Sequence, residues 1–192
     1  MIDLRAITAA DINEIRPIGG FGVIIADPAW RFQSNSDAKP GRSARRHYPT
    51  MTLAEIMAMP VCELASKNSL LLLWATVPML TQGLDVLKAW GFKYKSQLVW
   101  DKKRIGTGYW ARNRHEIVLI GRRGKFPCQR PALFDDSVIE EMRREHSRKP
   151  ELPQQVIDAR YPEVAKLELF ARRPRDGWVT LGNQSEKFER AA

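Results

Sequence analysis

The stretch "FGVIIADPAWRFQ", residues 21–33, begins with six residues that offer no polar face and then turns abruptly to an aspartate, a proline and a tryptophan. Phe21–Ala26 is too continuously apolar to be a strand with one wet side. It reads as a strand buried on both faces, the kind found inside a parallel sheet covered by helices. Runs of the same kind recur at Ser69–Trp74, Ser96–Trp100, Glu116–Ile120, Lys166–Ala171 and Trp178–Leu181. Helical stretches fall between them: Thr52–Met59, with Thr52 as N-cap and Glu55 at the capping-box position, Val77–Trp90 ending at Gly91, and Leu152–Tyr161. This alternation predicts an α/β fold on a mostly parallel sheet flanked by helices. Residues 127–150 read as a loop, within which "DDSVIEEMRREH" is a candidate short helix.

At 192 residues with 44% apolar content, the chain is expected to form one domain over 1–192 with a sizeable core. No run reaches the eighteen or so apolar residues that span a bilayer, and "MIDLRAITAADINE" carries acids where a signal peptide has its basic and apolar parts. A soluble, cytoplasmic protein is the expectation. Cys62 and Cys128 stand alone, without a CxxC or a histidine at ligand spacing, so neither a disulfide framework nor a metal site is expected.

The net charge of +9 is unevenly spread. Residues 31–50 hold five basic groups and one acid, and residues 102–125 hold eight and one, so the remainder of the chain is slightly acidic. Basic runs often do no more than solvate a surface. Here Arg31, Arg45, Arg46, Tyr48, Tyr109, Trp110, Arg112, Asn113 and Arg114 interleave cations with rings, which suits a polyanion carrying stackable bases. In a parallel sheet ligands bind beyond the carboxyl ends of the strands, and three polar signatures follow strand ends: Asp27-Pro28-Ala29-Trp30, "WDKKRIGTGYWARNR", and Gly182-Asn183-Gln184. The loops 31–50 and 102–114 are therefore expected to flank one cleft. His47, His115 and His146 need no catalytic role, and Trp74, Trp90 and Trp100 belong with the apolar elements as core.

Asp27, Pro28 and Trp30 bring a carboxylate, a rigidly held backbone carbonyl and a flat ring to one point. The ordinary alternative is a routine turn with Trp30 filling the core. An exocyclic amine on a base needs that set: attack on an electrophilic methyl builds positive charge on the nitrogen, oxygen acceptors stabilise it, and a ring can stack on a base drawn out of its helix.

With these residues in view, the chain resembles the MT-A70 family of adenine N6-methyltransferases. The likeness is carried by "VIIADPAW", "YPTMTLAEI", "LLLLWAT", "WGFKYKSQLVWDK", "GTGYWARNRHEIVLIG", "HSRKP", "LELFARRP" and "GWVTLGNQ", in the family's order. The resemblance implies a Rossmann-like methyltransferase fold with permuted motif order, which accounts for the lack of a GxGxxG after the first strand; Gly106-Thr107-Gly108 does not complete one. It implies S-adenosylmethionine as cofactor, with Asp27, Lys149, Arg172, Asn183 and Gln184 on the cofactor side, Asp27, Pro28 and Trp30 as catalytic residues, and Glu116 at the cleft. The resemblance also offers "IDLR" at residues 2–5 as a candidate counterpart of the family's cofactor-adenine segment. The family's second proline is Ala29 here, which loosens the turn but leaves the carboxylate, the carbonyl and the ring in place. DNA is favoured over RNA as the partner, since compact members of the family are mostly of bacterial or phage type. RNA methylation, or a silent nucleic-acid-binding subunit beside an active partner, remain the alternatives.

Overall fold

The computed structural model describes residues 4, 6–31, 50–106, 110–144 and 148–182. In chain order the elements are α1 (Ala9–Ile15), β1 (Phe21–Ala26), α2 (Leu53–Ala58), α3 (Val61–Leu64), β2 (Ala65–Thr76), a 3-10 turn (Val77–Met79) running into α4 (Leu80–Ala89), β3 (Lys93–Asp101), β4 (His115–Arg123), β5 (Val138–Glu140), α5 (Leu152–Arg160), β6 (Lys166–Leu169) and β7 (Trp178–Leu181). The seven strands form one sheet in the order β5-β3-β4-β2-β1-β6-β7.

All six residues of β1 are buried, as an unbroken apolar run requires. From Val23 onward alternate side chains feed two cores, and Phe21, before a register shift in the pairing with β2, joins the first of them. Phe21, Ile24 and Ala26 join Ile56 of α2 and Val86, Leu87 and Trp90 of the α4 region, whereas Val23 and Ile25 join Trp74, Trp100, Ile157 and Trp178 on the α5 side. Trp74, Trp90 and Trp100 are core residues, as expected. α2 begins with the predicted capping box: the Thr52 hydroxyl accepts from Glu55 N, and the Glu55 carboxylate accepts from Thr52 N. Gly91, just beyond α4, has φ +83, the left-handed conformation that glycine adopts without strain when it ends a helix.

Two departures follow from the connections. β4 runs antiparallel to both β2 and β3, while the other pairings are parallel. The segment 102–114 between β3 and β4 contains no described helix, and two neighbouring strands joined without a crossover must run in opposite directions. The amino end of β4 therefore lies on the rim that carries the carboxyl ends of the others: Glu116 pairs with Thr76 at the end of β2 and with Trp100 in β3. The second departure is the predicted helix in "DDSVIEEMRREH". Val138–Glu140 is the edge strand β5 instead, parallel to β3, because Val99 N donates to Ser137 O and the Trp100 indole N–H donates to Glu141 O, while Ile139 buries its side chain. Tertiary pairing overrides the local helical preference.

Replacing Thr52 by Ala removes the side-chain half of the α2 cap and should lower stability by about 1 kcal/mol without altering the fold. Urea unfolding of the two proteins checks this, with an unchanged slope expected.

Candidate active site

β1 lies where the chain connections change direction: β2 follows on one side, and β6 lies on the other. In sheets of this kind that is the position of the ligand crevice. Asp27 is the first residue past β1, and its N–H reaches Leu169 O at 3.4 Å. Lys149 Nζ lies 2.8 Å from Asp27 Oδ2 and 3.4 Å from Glu116 Oε2. Glu116 also pairs with Lys102 at 3.2 Å. The Lys149 ammonium lies over the Trp74 ring at 5.6 Å, within cation–π range. Burial disfavours that ammonium, but Asp27 and Glu116 outweigh it and hold Lys149 protonated well above the ordinary lysine range. Burial likewise disfavours the Glu116 carboxylate, yet Lys149 and Lys102 hold its pKa below the usual value.

Beneath this cluster is a cavity of about 60 Å³, whose walls include Asp27, Trp74, Lys149, Gln154, Glu168 and Arg172. Phe170, also on its wall, takes φ +65, a strained conformation for a non-glycine residue. The strand β7 ends against the same turn, since a Cβ at Gly182 would overlap the Ala171 carbonyl.

The structure thus joins Asp27, Lys149, Arg172 and Glu116, which the sequence spreads over 146 positions. Trp30 is different. Its side chain is 5% exposed, and its indole N–H donates to Trp74 O at 3.0 Å. The expectation of an open stacking face is corrected: an aromatic ring with a buried acceptor within reach gains more by filling the core. Trp30 supports the turn from below, and its backbone N–H donates to Pro28 O at 2.8 Å, occupying one of that carbonyl's two lone pairs. Ala29 O accepts from Met51 N, and Met51 O accepts from Arg31 N, so the two ends of the basic segment are tied together beside Asp27.

On the 102–114 segment, Trp110 is fully exposed, and Arg31 at the neighbouring segment is exposed as well. Arg112 Nε reaches Gly106 O at 3.4 Å, and Asn113 O accepts from Gly106 N at 2.9 Å. Arg114 is exposed and at the same time clamps the Asp101 carboxylate with both Nε, at 2.9 Å, and its terminal nitrogen. That clamp, with Lys103, holds the Asp101 carboxyl far below the ordinary carboxylate range. Arg45, Arg46, Tyr48, Tyr109, Asn183 and Gln184 lie outside the described residues, as does most of "IDLR". Sequence reading missed Gln154 and Glu168 as residues of the cavity. Glu168 had a legible signal, being the lone acid in the apolar run "LELF"; Gln154 had none.

Among known proteins, the family model described as MT-A70 matches residues 21–184. The Type II methyltransferase M.MunI of Mycoplasma sp is 30% identical over 178 residues, covering 84% of this chain and 76% of that protein. The N(6)-adenosine-methyltransferase MT-A70-like of Arabidopsis thaliana is 33% identical over 186 residues, 91% of this chain and 25% of its own length. The N(6)-adenosine-methyltransferase catalytic subunit METTL3 of Homo sapiens is 28% identical over 181 residues, 89% and 29% respectively. The chain therefore spans under a third of these two eukaryotic relatives.

Lys149→Met leaves two carboxylates facing one another without their shared cation and should lower stability by about 3 kcal/mol at neutral pH. Glu116→Gln tests the linkage. Since the folded Glu116 pKa is lowered from 4.5, its contribution is present above that value and is lost as pH falls through the lowered one. The gap in melting temperature between wild type and Glu116→Gln should be full at neutral pH and close on acidification.

Proposed function

The chain belongs to the MT-A70 family of methyltransferases, and on that premise we propose that it transfers a methyl group from S-adenosylmethionine to the N6 amine of adenine in DNA. The observation that carries this reading is the Asp27 carboxylate, fixed by Lys149 at the strand crossover and facing a cavity of mixed charge.

When bound, S-adenosylmethionine supplies an electrophilic methyl on a sulfonium centre. The residues present suit such a ligand. Lys149 and Arg172 offer cations to its carboxylate, Asp27 and Glu168 offer acceptors to its donors, and the buried Gln154 Oε1 and Arg175 Nε are without partners in the described structure. Asn183 and Gln184 are assigned to the same ligand by the family resemblance alone.

The adenine amine is a poor nucleophile because its lone pair is delocalised into the ring. In this reading Asp27 and the free lone pair of the Pro28 carbonyl accept its two N–H groups and stabilise the positive charge that develops on the nitrogen. Lys149 acts through Asp27, holding the carboxylate in one place. Trp30 acts through the backbone, keeping the Asp27–Pro28 turn rigid where Ala29 replaces the family's proline. After transfer the nitrogen loses its proton to water, so no histidine base is required. Trp110, Arg112 and Arg31 on the rim, with Arg45, Arg46, Tyr48 and Tyr109, would grip the nucleic acid by stacking and phosphate contact. Arg114 would contribute by bracing the base of the 102–114 segment through Asp101.

DNA is preferred because the match to the Type II methyltransferase extends over 76% of that protein, whereas the match to the adenosine methyltransferase of Arabidopsis thaliana is confined to 25% of its length. Methylation of RNA is the second reading, favoured by the 33% identity to a protein named as an N(6)-adenosine-methyltransferase.

The test is transfer of a labelled methyl group to matched DNA and RNA oligonucleotides, single- and double-stranded, with nucleoside mass spectrometry. N6-methyladenine in DNA is expected, and Asp27→Ala should slow its formation roughly a hundredfold, about 3 kcal/mol of transition-state stabilisation. Turnover within a few-fold of wild type for Asp27→Ala would overturn the role given to the carboxylate. Product confined to RNA would transfer the assignment to the second reading. Trp110→Ala should weaken oligonucleotide binding while leaving S-adenosylmethionine binding unchanged, as titration of each ligand would register.

A further inference from the structure

Gln154, in the first turn of α5, is 95% buried and lines the cavity below Asp27. Its Nε2 donates to Glu168 Oε1 at 3.2 Å, which fixes the sense of the amide, because a carboxylate accepts. The other end of that amide, Oε1, is buried and has no hydrogen-bond partner among the described residues. Buried amide oxygens in folded proteins are nearly always satisfied, so an orphan on a cavity wall marks the place of a ligand donor. Glu168 supplies a second acceptor beside it, and burial pushes that carboxyl above its usual value against the pull of Arg175, Gln154 and Arg173.

The neighbours select the kind of donor. The wall carries five cations, Arg148, Lys149, Arg172, Arg173 and Arg175, against three acids, Asp27, Glu151 and Glu168, and this positive balance favours a neutral O–H over a further cation at Gln154. The volume of about 60 Å³ holds only a few hydroxyl-sized groups, at roughly 15 Å³ each, and is too small for a nucleoside. It admits a projecting group of a larger ligand and not the whole of one.

We propose that Gln154 Oε1, together with the Glu168 carboxyl, binds a ribose hydroxyl of the adenosyl cofactor. The inference rests on the methyltransferase reading above, and the ribose is the part of that cofactor that carries hydroxyls. It assigns α5 a direct contact with the cofactor in addition to the Asn183–Gln184 pair. Gln154 thereby becomes a determinant of cofactor specificity, since a buried amide acceptor left unpaired rejects an analogue that lacks the hydroxyl.

The experiment is calorimetric binding of S-adenosylhomocysteine and its 2′-deoxy and 3′-deoxy analogues to the full chain as wild type, Gln154→Met and Gln154→Asn, with melting temperatures recorded. Methionine keeps the length of the side chain without the oxygen, and asparagine withdraws the oxygen by one methylene. Wild type should bind the parent compound about tenfold more tightly than at least one deoxy analogue, and both variants should lose about tenfold on the parent and much less on that analogue. This cycle separates Gln154 from any other group that touches the ribose. Equal affinity of wild type for all three compounds would overturn the inference whether or not a variant folds, as would a folded variant that discriminates as wild type does. Failure of wild type to bind S-adenosylhomocysteine at all would overturn the methyltransferase reading itself, a result distinguishable from the other two.

Discussion

The rim depends on one ammonium group. Lys149 bridges Asp27, 122 positions earlier in the chain, and Glu116, and so ties the end of β1, the start of β4 and the approach to α5 at a single point. Two carboxylates brought this close in a half-buried site repel each other and lose their hydration. They are tolerable only with a cation shared between them. Lys102 adds a second cation on Glu116, which leaves Lys149 oriented toward Asp27. This arrangement requires β4 to run backwards. Had β4 been parallel to its neighbours, Glu116 would lie at the far end of the strand, roughly 25 Å away. The one antiparallel strand in an otherwise parallel sheet is thus what completes the charge cluster.

Apolar packing carries that cluster into the sheet, largely through Trp74. Its ring underlies the Lys149 ammonium, its carbonyl accepts from the Trp30 indole, and its edge meets the Trp100 ring at 6.0 Å and 83°. Trp100 in turn donates to Glu141 O beyond β5. Three indoles therefore link the turn after β1 to the edge of the sheet. Each buries a large apolar area; the Trp30 and Trp100 indole N–H groups donate to main-chain carbonyls, and the face of the Trp74 ring meets the Lys149 ammonium. Rigid support of this kind is what a strained residue such as Phe170 at φ +65 needs if it is to persist beside the cavity.

The elements that depend on local chemistry were legible in the sequence. β1 and β7 match the apolar runs residue for residue, and the Thr52–Glu55 capping box and the turn at Gly91 follow from side-chain chemistry and backbone freedom at single positions. Asp27 was legible because an acid directly after a fully apolar strand has no packing reason to be there. The direction of β4 and the strand at Val138–Glu140 were not, because both are decided by what they pair with, and "SVIEEM" carries as much helical preference as strand preference. Trp30 was misread for a related reason: a tryptophan after a strand is compatible with an open face or a buried one, and the choice rests on the Trp74 carbonyl 44 positions away. Gln154 could not be found at all, since an exposed glutamine on a helix has the same sequence signature as one whose amide is bonded to a buried acid.

Charge counting along the chain also overstates what the rim offers to a polyanion. Of the basic residues between 102 and 125, Lys102 is held by Glu116, Lys103 by Asp101 and Glu140, Arg114 by Asp101, and Arg123 by the Cys62 carbonyl. The acids that hold them lie partly outside the window that was counted, so the segment's effective positive charge is smaller than its composition suggests. A cation already paired with a carboxylate gains less by meeting a phosphate, because the first partnership must be broken or shared. What distinguishes the 102–114 segment is therefore less its number of arginines than the use made of one of them. By spending Arg114 on Asp101, the fold braces the root of a loop whose Trp110 is fully exposed. An anchored loop presents its ring at a smaller loss of conformational entropy than a free one, so on the proposed reading preorganisation, rather than the charge count alone, would favour binding.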